Sequence, residues 1–134
     1  MMFSYFMLYV KDIDEHIEFY RYIMGLEMET YYEEEGGMND GMIKVAFMVD
    51  RGKRPMIDVP MIELVANSPD DAPVHCGYQI GIQVDSSQRV DKLMKEHGYP
   101  LINGPLYRED GRITLMEYVG PEGTRVATME VKEI

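Results

Sequence analysis

Apolar and polar positions along this chain fall in blocks, and the blocks change period. Residues 3–10, FSYFMLYV, form a short apolar run rich in aromatics, which predicts a buried strand. The following DIDEHIEFYRYIMG switches to helical spacing, with Ile13, Ile17, Tyr20 and Met24 on one face. Asp12 and Glu15 stand as in a capping box at its start, and Gly25 is a natural stop at its end. Residues 26–35, LEMETYYEEE, read as a strand, and GGMNDG (36–41) as a turn-rich loop. IKVAFMV (43–49) and PMIELVA (60–66) are two more strands, separated by the polar DRGKRP (50–55). The first half therefore reads β-α-β-β-β.

SPDDAP (68–73) breaks the composition with prolines and aspartates that suit a surface linker. Beyond it the pattern restarts. YQIGIQV (78–84) is a strand, and DSSQ turns into a helix with Val90, Leu93, Met94 and His97 on its stripe and Gly98 at its end. PLINGPLY (100–107), RITLMEYV (112–119) and TRVATMEV (124–131) are strands, the last two joined by the tight turn GPEG (120–123). The second half is again β-α-β-β-β, so the chain holds a diverged internal repeat. Val10 and Val84 close corresponding first strands, and Gly25 and Gly98 close corresponding helices. The expected fold is α+β: one domain over 1–134, made of module 1 (1–67), a linker (68–75) and module 2 (76–134). Paired β-α-β-β-β modules would form a curved mixed sheet around a cavity, with the helices outside. A concave sheet face is a place to enclose a small molecule.

Composition narrows the partners. The chain has 134 residues and a formal net charge of −11, which disfavours nucleic acid and anionic membranes. No apolar run approaches the roughly 18–20 residues that span a bilayer. The start, MMFSYFMLYVKD, lacks a basic leader and reads as a strand rather than a signal peptide. The single cysteine, Cys76, offers no internal disulfide and fits a reducing cytoplasm. Thirteen methionines and ten tyrosines suit either core filling or an adaptable, aromatic-lined pocket.

One residue stands against its surroundings. In PMIELVAN (60–67), Glu63 is a carboxylate in a run of Met, Ile, Leu and Val. A buried unpaired charge costs several kcal/mol, so Glu63 calls for a partner or a task.

The segment VKDIDEHIEFYRYIMGLEM, with IELV closing the first half and GPEGTRVATM the second, resembles the vicinal oxygen chelate superfamily. That group includes glyoxalase I, extradiol dioxygenases, fosfomycin resistance enzymes and bleomycin resistance proteins. The resemblance covers essentially the whole chain, from V-x-D-x-x-x-x-x-x-F-Y-x-x-x-x-G-L at Val10–Leu26 to GPEG, where the family usually has D-P-x-G. It implies four inward-facing metal-ligand positions, which fall here on Tyr5, Glu63, Gln79 and Ala127. Only Glu63 matches a glyoxalase-like ligand pattern fully. Gln79 could ligate through its amide oxygen, Tyr5 is a poor ligand unless deprotonated, and Ala127 cannot ligate. Glu117 on the neighbouring strand, His75 just ahead of the fifth strand, and Glu130 could each replace a ligand, although alternation turns Glu130 to the opposite face.

The resemblance thus implies a small-molecule-binding protein similar to bleomycin resistance proteins, acting without a metal cofactor, with Tyr5, Glu63 and Gln79 on the pocket floor. Glu63 would orient the ligand, act as a general base, or simply accept hydrogen bonds from Tyr5 and Gln79. The alternative is a divalent-metal-dependent lyase or isomerase of the lactoylglutathione lyase type, on a site rearranged around Glu63. A homodimer is expected from the same resemblance.

The remaining candidates have plainer readings. His16, off the Ile13/Ile17 stripe, is expected in solvent, and His97 at a helix end is expected to meet the last carbonyls. His75 and Cys76, adjacent in extended chain, point apart and make a poor nucleophilic pair. EEEGG (33–37) and the basic RGKR (51–54) read as solvated loops; the first could reach over a pocket mouth, and the second could dock an anionic group.

Overall fold

The structure, a computed structural model, describes residues 5–50, 61–69 and 79–132. The turn with its basic cluster at 51–54, His75, Cys76 and most of the linker lie outside the described residues. The chain divides into two compact units, Met1–Val74 and His75–Ile134. No helix among the described residues is long and apolar enough to cross a membrane.

The first unit runs β1 (Tyr5–Val10), α1 (Ile13–Glu18), β2 (Glu27–Glu35), β3 (Met42–Val49) and β4 (Met61–Ala66). Its sheet has the order β1-β4-β3-β2, with β1 parallel to β4 and the other pairs antiparallel. The second unit repeats this with β5 (Ile80–Gln83), α2 (Ser87–Glu96), β6 (Leu101–Arg108), β7 (Ile113–Val119) and β8 (Arg125–Val131), in the order β5-β8-β7-β6. The repeat read from the sequence is therefore a repeat of topology: in each unit the strand that precedes the helix pairs in parallel with the last strand. Gly25 and Gly98 both take positive φ, +78° and +79°, at the ends of the two helical segments, a conformation glycine adopts without a Cβ clash.

In the first unit α1 lies against β3 and β4. Strand alternation turns Leu8, Val10, Ala46, Met48, Leu64 and Ala66 to one face, and all six are buried. The helical segment adds Ile13, Phe19, Tyr20 and Ile23 to the core. Asp12 caps α1 by accepting from the Glu15 N–H at 3.0 Å, which is half of the expected capping box. The single regular stripe expected through Met24 is not what forms. After Glu18 the backbone widens into a π-helical turn over Phe19–Ile23. In that turn the adjacent Phe19 and Tyr20 are both in the core, their rings edge-to-face at 5.1 Å.

His16, expected in solvent, is fully buried. Its Nδ1 lies 2.7 Å from the Asp12 carbonyl oxygen. A carbonyl can only accept, so Nδ1 carries the proton, and the ring packs inward as a structural residue.

In the second unit Ser86 caps α2 by accepting from the Arg89 N–H at 3.2 Å. The Ser87 N–H and hydroxyl both donate to Glu130 Oε1, at 2.6 and 3.1 Å. Glu130 thus lies on the helix side of the sheet, as strand alternation requires. Tyr118, fully buried on the same side, donates its hydroxyl to Asp91 of α2 at 2.9 Å. At the end of α2, His97 Nδ1 meets the Leu93 carbonyl at 2.8 Å, the helix-end contact expected from its place in the sequence.

Candidate functional site

The face of the first sheet opposite α1 carries the anomalous carboxylate. In register, Glu63 on β4 lies between Met7 on β1 and Phe47 on β3. The next row along the strands is Tyr9, Val65, Val45 and Tyr32. Tyr5 opens β1 at the register position opposite Met61, two residues ahead of Met7.

This face is graded. Val45, Val49 and Val65 are buried; Met7, Tyr9, Phe47 and Glu63 are half-buried; Tyr32, at the margin, is 40% exposed. A bulge between Met28 and Thr30 sets the β2 register and places Tyr32 on this face beside Val45.

The electrostatics follow from that setting. Burial raises the Glu63 carboxyl above the usual glutamate range. Within the first unit, no described residue donates a hydrogen bond to Glu63 and no described cation pairs with it. Two described cations of this unit can be placed away from it: Arg21 sits over the Tyr22 ring at 5.7 Å, and alternation turns Lys44 to the helix side. The Tyr32 phenol is also raised, by burial first, then by the charges of Glu34 and Glu63.

The matching face of the second sheet is differently furnished. Ala127 on β8 lies between Gly81 on β5 and Glu117 on β7. Glu117 is thus directly beside the position where the resemblance implies a ligand, on the same face. Asn103, opposite it on β6, donates weakly to Glu117 at 3.5 Å. Gln79 precedes β5 and is exposed. Glu130 is committed to the start of α2. The carboxylate of the first unit is on its last strand, and that of the second unit is one strand over.

Among the described residues, the donors beside Glu63 do not by themselves make up a divalent-metal site of the kind the resemblance implies. The register neighbours of Glu63 offer a thioether, a phenyl ring and aliphatic groups, and Ala127 offers nothing. Among the described residues no group of three or more His, Cys, Asp or Glu could hold a metal ion.

Met7, Tyr9, Tyr32 and Phe47 are neighbours of Glu63 on this face that the sequence does not single out. The signal for them is present in the sequence as alternation in step with Glu63 along FSYFMLYV and IKVAFMV, but it becomes usable only once strand register is fixed.

The profile of the Glyoxalase/Bleomycin resistance protein/Dioxygenase superfamily matches residues 3–128. No protein of curated function matches the sequence. Solved structures share the fold. A glyoxalase family protein from Bacillus cereus aligns with 18% identity and a TM-score of 0.81, over 99% of this chain and 95% of that one. The trypanothione-dependent glyoxalase I of Leishmania major aligns with 20% identity and a TM-score of 0.71, over 97% and 86%. An antibiotic binding protein from a Streptomyces species aligns with 15% identity and a TM-score of 0.67, over 98% and 97%.

Proposed function

Because this chain belongs to the glyoxalase/bleomycin resistance protein/dioxygenase superfamily, we propose that it is a binding protein that holds a small organic molecule without a catalytic metal. One observation carries the reading: Glu63 is a half-buried carboxylate with no described partner in its unit, on a face of Met7, Tyr9, Phe47, Val65 and Tyr32. Polarizable and aromatic side chains around one polar group are the usual furnishing of an organic-ligand site. The fold shared with an antibiotic binding protein is in keeping with this. Tyr5 and Gln79 belong to the same proposal as further ligand-contacting residues, and so does assembly as a homodimer. The metal-dependent lyase or isomerase reading lacks a donor set among the described residues.

The test is elemental analysis of protein purified without an affinity tag or chelators, together with titration by 2-naphthalenemethanol followed at the Met7 methyl resonance. The expected result is no stoichiometric Ni, Zn, Mn or Fe, and a Met7 shift that survives EDTA. A stoichiometric metal lost on Glu63→Ala would overturn the reading in favour of the lyase or isomerase.

A further inference from the structure

We propose that the Glu63 face of the first unit selects an organic cation, an amine or guanidinium group on an apolar or aromatic body. This rests on the small-molecule reading above and names the chemical class of the ligand.

A carboxylate taken partly out of water is ordinarily compensated by a cation or by hydrogen-bond donors. In its own unit Glu63 has neither among the described residues. In register its flanks are Met7 and Phe47, and the next row brings Tyr9 and Tyr32.

The flanking side chains choose between classes of ligand. A neutral donor would satisfy one lone pair of the carboxylate but would leave its charge uncompensated. An anion would add a second charge of the same sign to a partly dehydrated site. A cation neutralises the carboxylate and is also attracted to the faces of the Phe47, Tyr9 and Tyr32 rings. Met7 and the buried Val45 and Val65 offer only apolar contact, so they call for an apolar body attached to the charged group. The carboxylate and the rings thus select the same ligand, and the surrounding chain, at formal charge −11, favours a positive guest.

The experiment compares three probes with one ring system: 2-naphthylmethylamine, 2-naphthalenemethanol and 2-naphthoate. Affinity is read by calorimetry and location by the Met7 methyl resonance. The amine is expected to bind about tenfold tighter than the alcohol, the scale of one charge-assisted contact, and the naphthoate more weakly than either. Glu63→Gln is expected to bring the amine-to-alcohol affinity ratio to about one. Phe47→Leu, an apolar replacement, is expected to lower that ratio by a smaller factor.

Equal affinities for amine and alcohol in the unmutated protein would overturn the cation proposal while leaving the small-molecule reading intact. A preference for the amine that persists in Glu63→Gln would overturn it equally, by placing the selecting charge elsewhere. No Met7 shift with any probe would overturn the binding reading, and this inference with it.

Discussion

At the residue scale, the raised carboxyl of Glu63 has a consequence for stability that is independent of any ligand. A carboxyl whose folded-state pKa lies above its unfolded value binds its proton more tightly in the folded protein. Folding stability then falls as pH rises between the two values, and the full penalty is present above the folded one. Glu63→Gln, which cannot ionise, is expected to raise the urea midpoint at pH 7.5. The gain should shrink to nothing near pH 4 and below, around the ordinary glutamate value. A midpoint at pH 7.5 that is unchanged or lower in the mutant would mean that Glu63 is compensated after all. Asp91 behaves oppositely. Its carboxyl is held down, first by the bond to Lys95 and then by that from Tyr118, with burial opposing, so its contribution is present above the usual aspartate range and is lost as pH falls through the lowered value. The two partners differ in weight for stability. The Lys95 ion pair is short, 2.8 Å, but the Lys95 side chain is 71% exposed and solvent screens it. The Tyr118 hydroxyl is buried, and its pKa is pushed upward by burial and by the bond to Asp91. Tyr118→Phe is therefore expected to cost about 1–3 kcal/mol in denaturant unfolding, and Lys95→Ala less than about 1 kcal/mol.

At the scale of elements, the loop between β2 and β3 is tied to the end of β4 through Asn67, by its side chain and its backbone. Asn67, just past β4, donates its side-chain amide to the Met42 carbonyl at 3.1 Å, and its backbone carbonyl accepts from the Met38 N–H at 3.0 Å. A Cβ on Gly37 would stand 2.7 Å from Asn67 Nδ2 and 2.8 Å from the Gly41 carbonyl oxygen. Gly37→Ala must displace that clamp, so a loss of about 1–3 kcal/mol in thermal or denaturant unfolding is expected. A neutral outcome would show that the loop is free to move away from Asn67. The glycines of GGMNDG mark a turn in the sequence, but the reason for Gly37 lies thirty residues further on and is not legible locally. The same division runs through the fold. Strands and helices are legible because their apolar periods, 2 and 3.6, are local, and the repeat is legible because the period sequence occurs twice. The π-helical turn is not, because residues 13–24 keep helical apolar spacing throughout, which reads as a regular helix and leaves no local mark of the wider turn. The burial of His16 is not legible either, because an imidazole on a helix reads as polar and its inward place goes with its bond to the Asp12 carbonyl. At the site, Glu63 stands out in the sequence as a charge among apolar residues. Its register neighbours do not, because register is a property of paired strands, and a shift of one residue would exchange Phe47 for Met48.

At the scale of the whole molecule, the formal charge of −11 acts on the approach of a ligand rather than on its final contacts. A field summed over many surface carboxylates extends about one Debye length, roughly 10 Å at 0.1 M salt and 3 Å at 1 M. The contact between a bound cation and the half-buried Glu63 is screened far less. The two contributions therefore separate in kinetics. Association of 2-naphthylmethylamine, followed by stopped-flow fluorescence, is expected to slow several-fold between about 0.05 and 0.5 M salt, whereas association of 2-naphthalenemethanol stays constant. In Glu63→Gln the salt dependence of amine association should persist, because the surface charge is almost unchanged, while dissociation of the amine speeds up. If the mutation instead removes the salt dependence of association, Glu63 itself supplies the attracting field. If salt slows the alcohol equally, the effect is on the protein's conformation and not on steering, and the net charge plays no part in ligand capture.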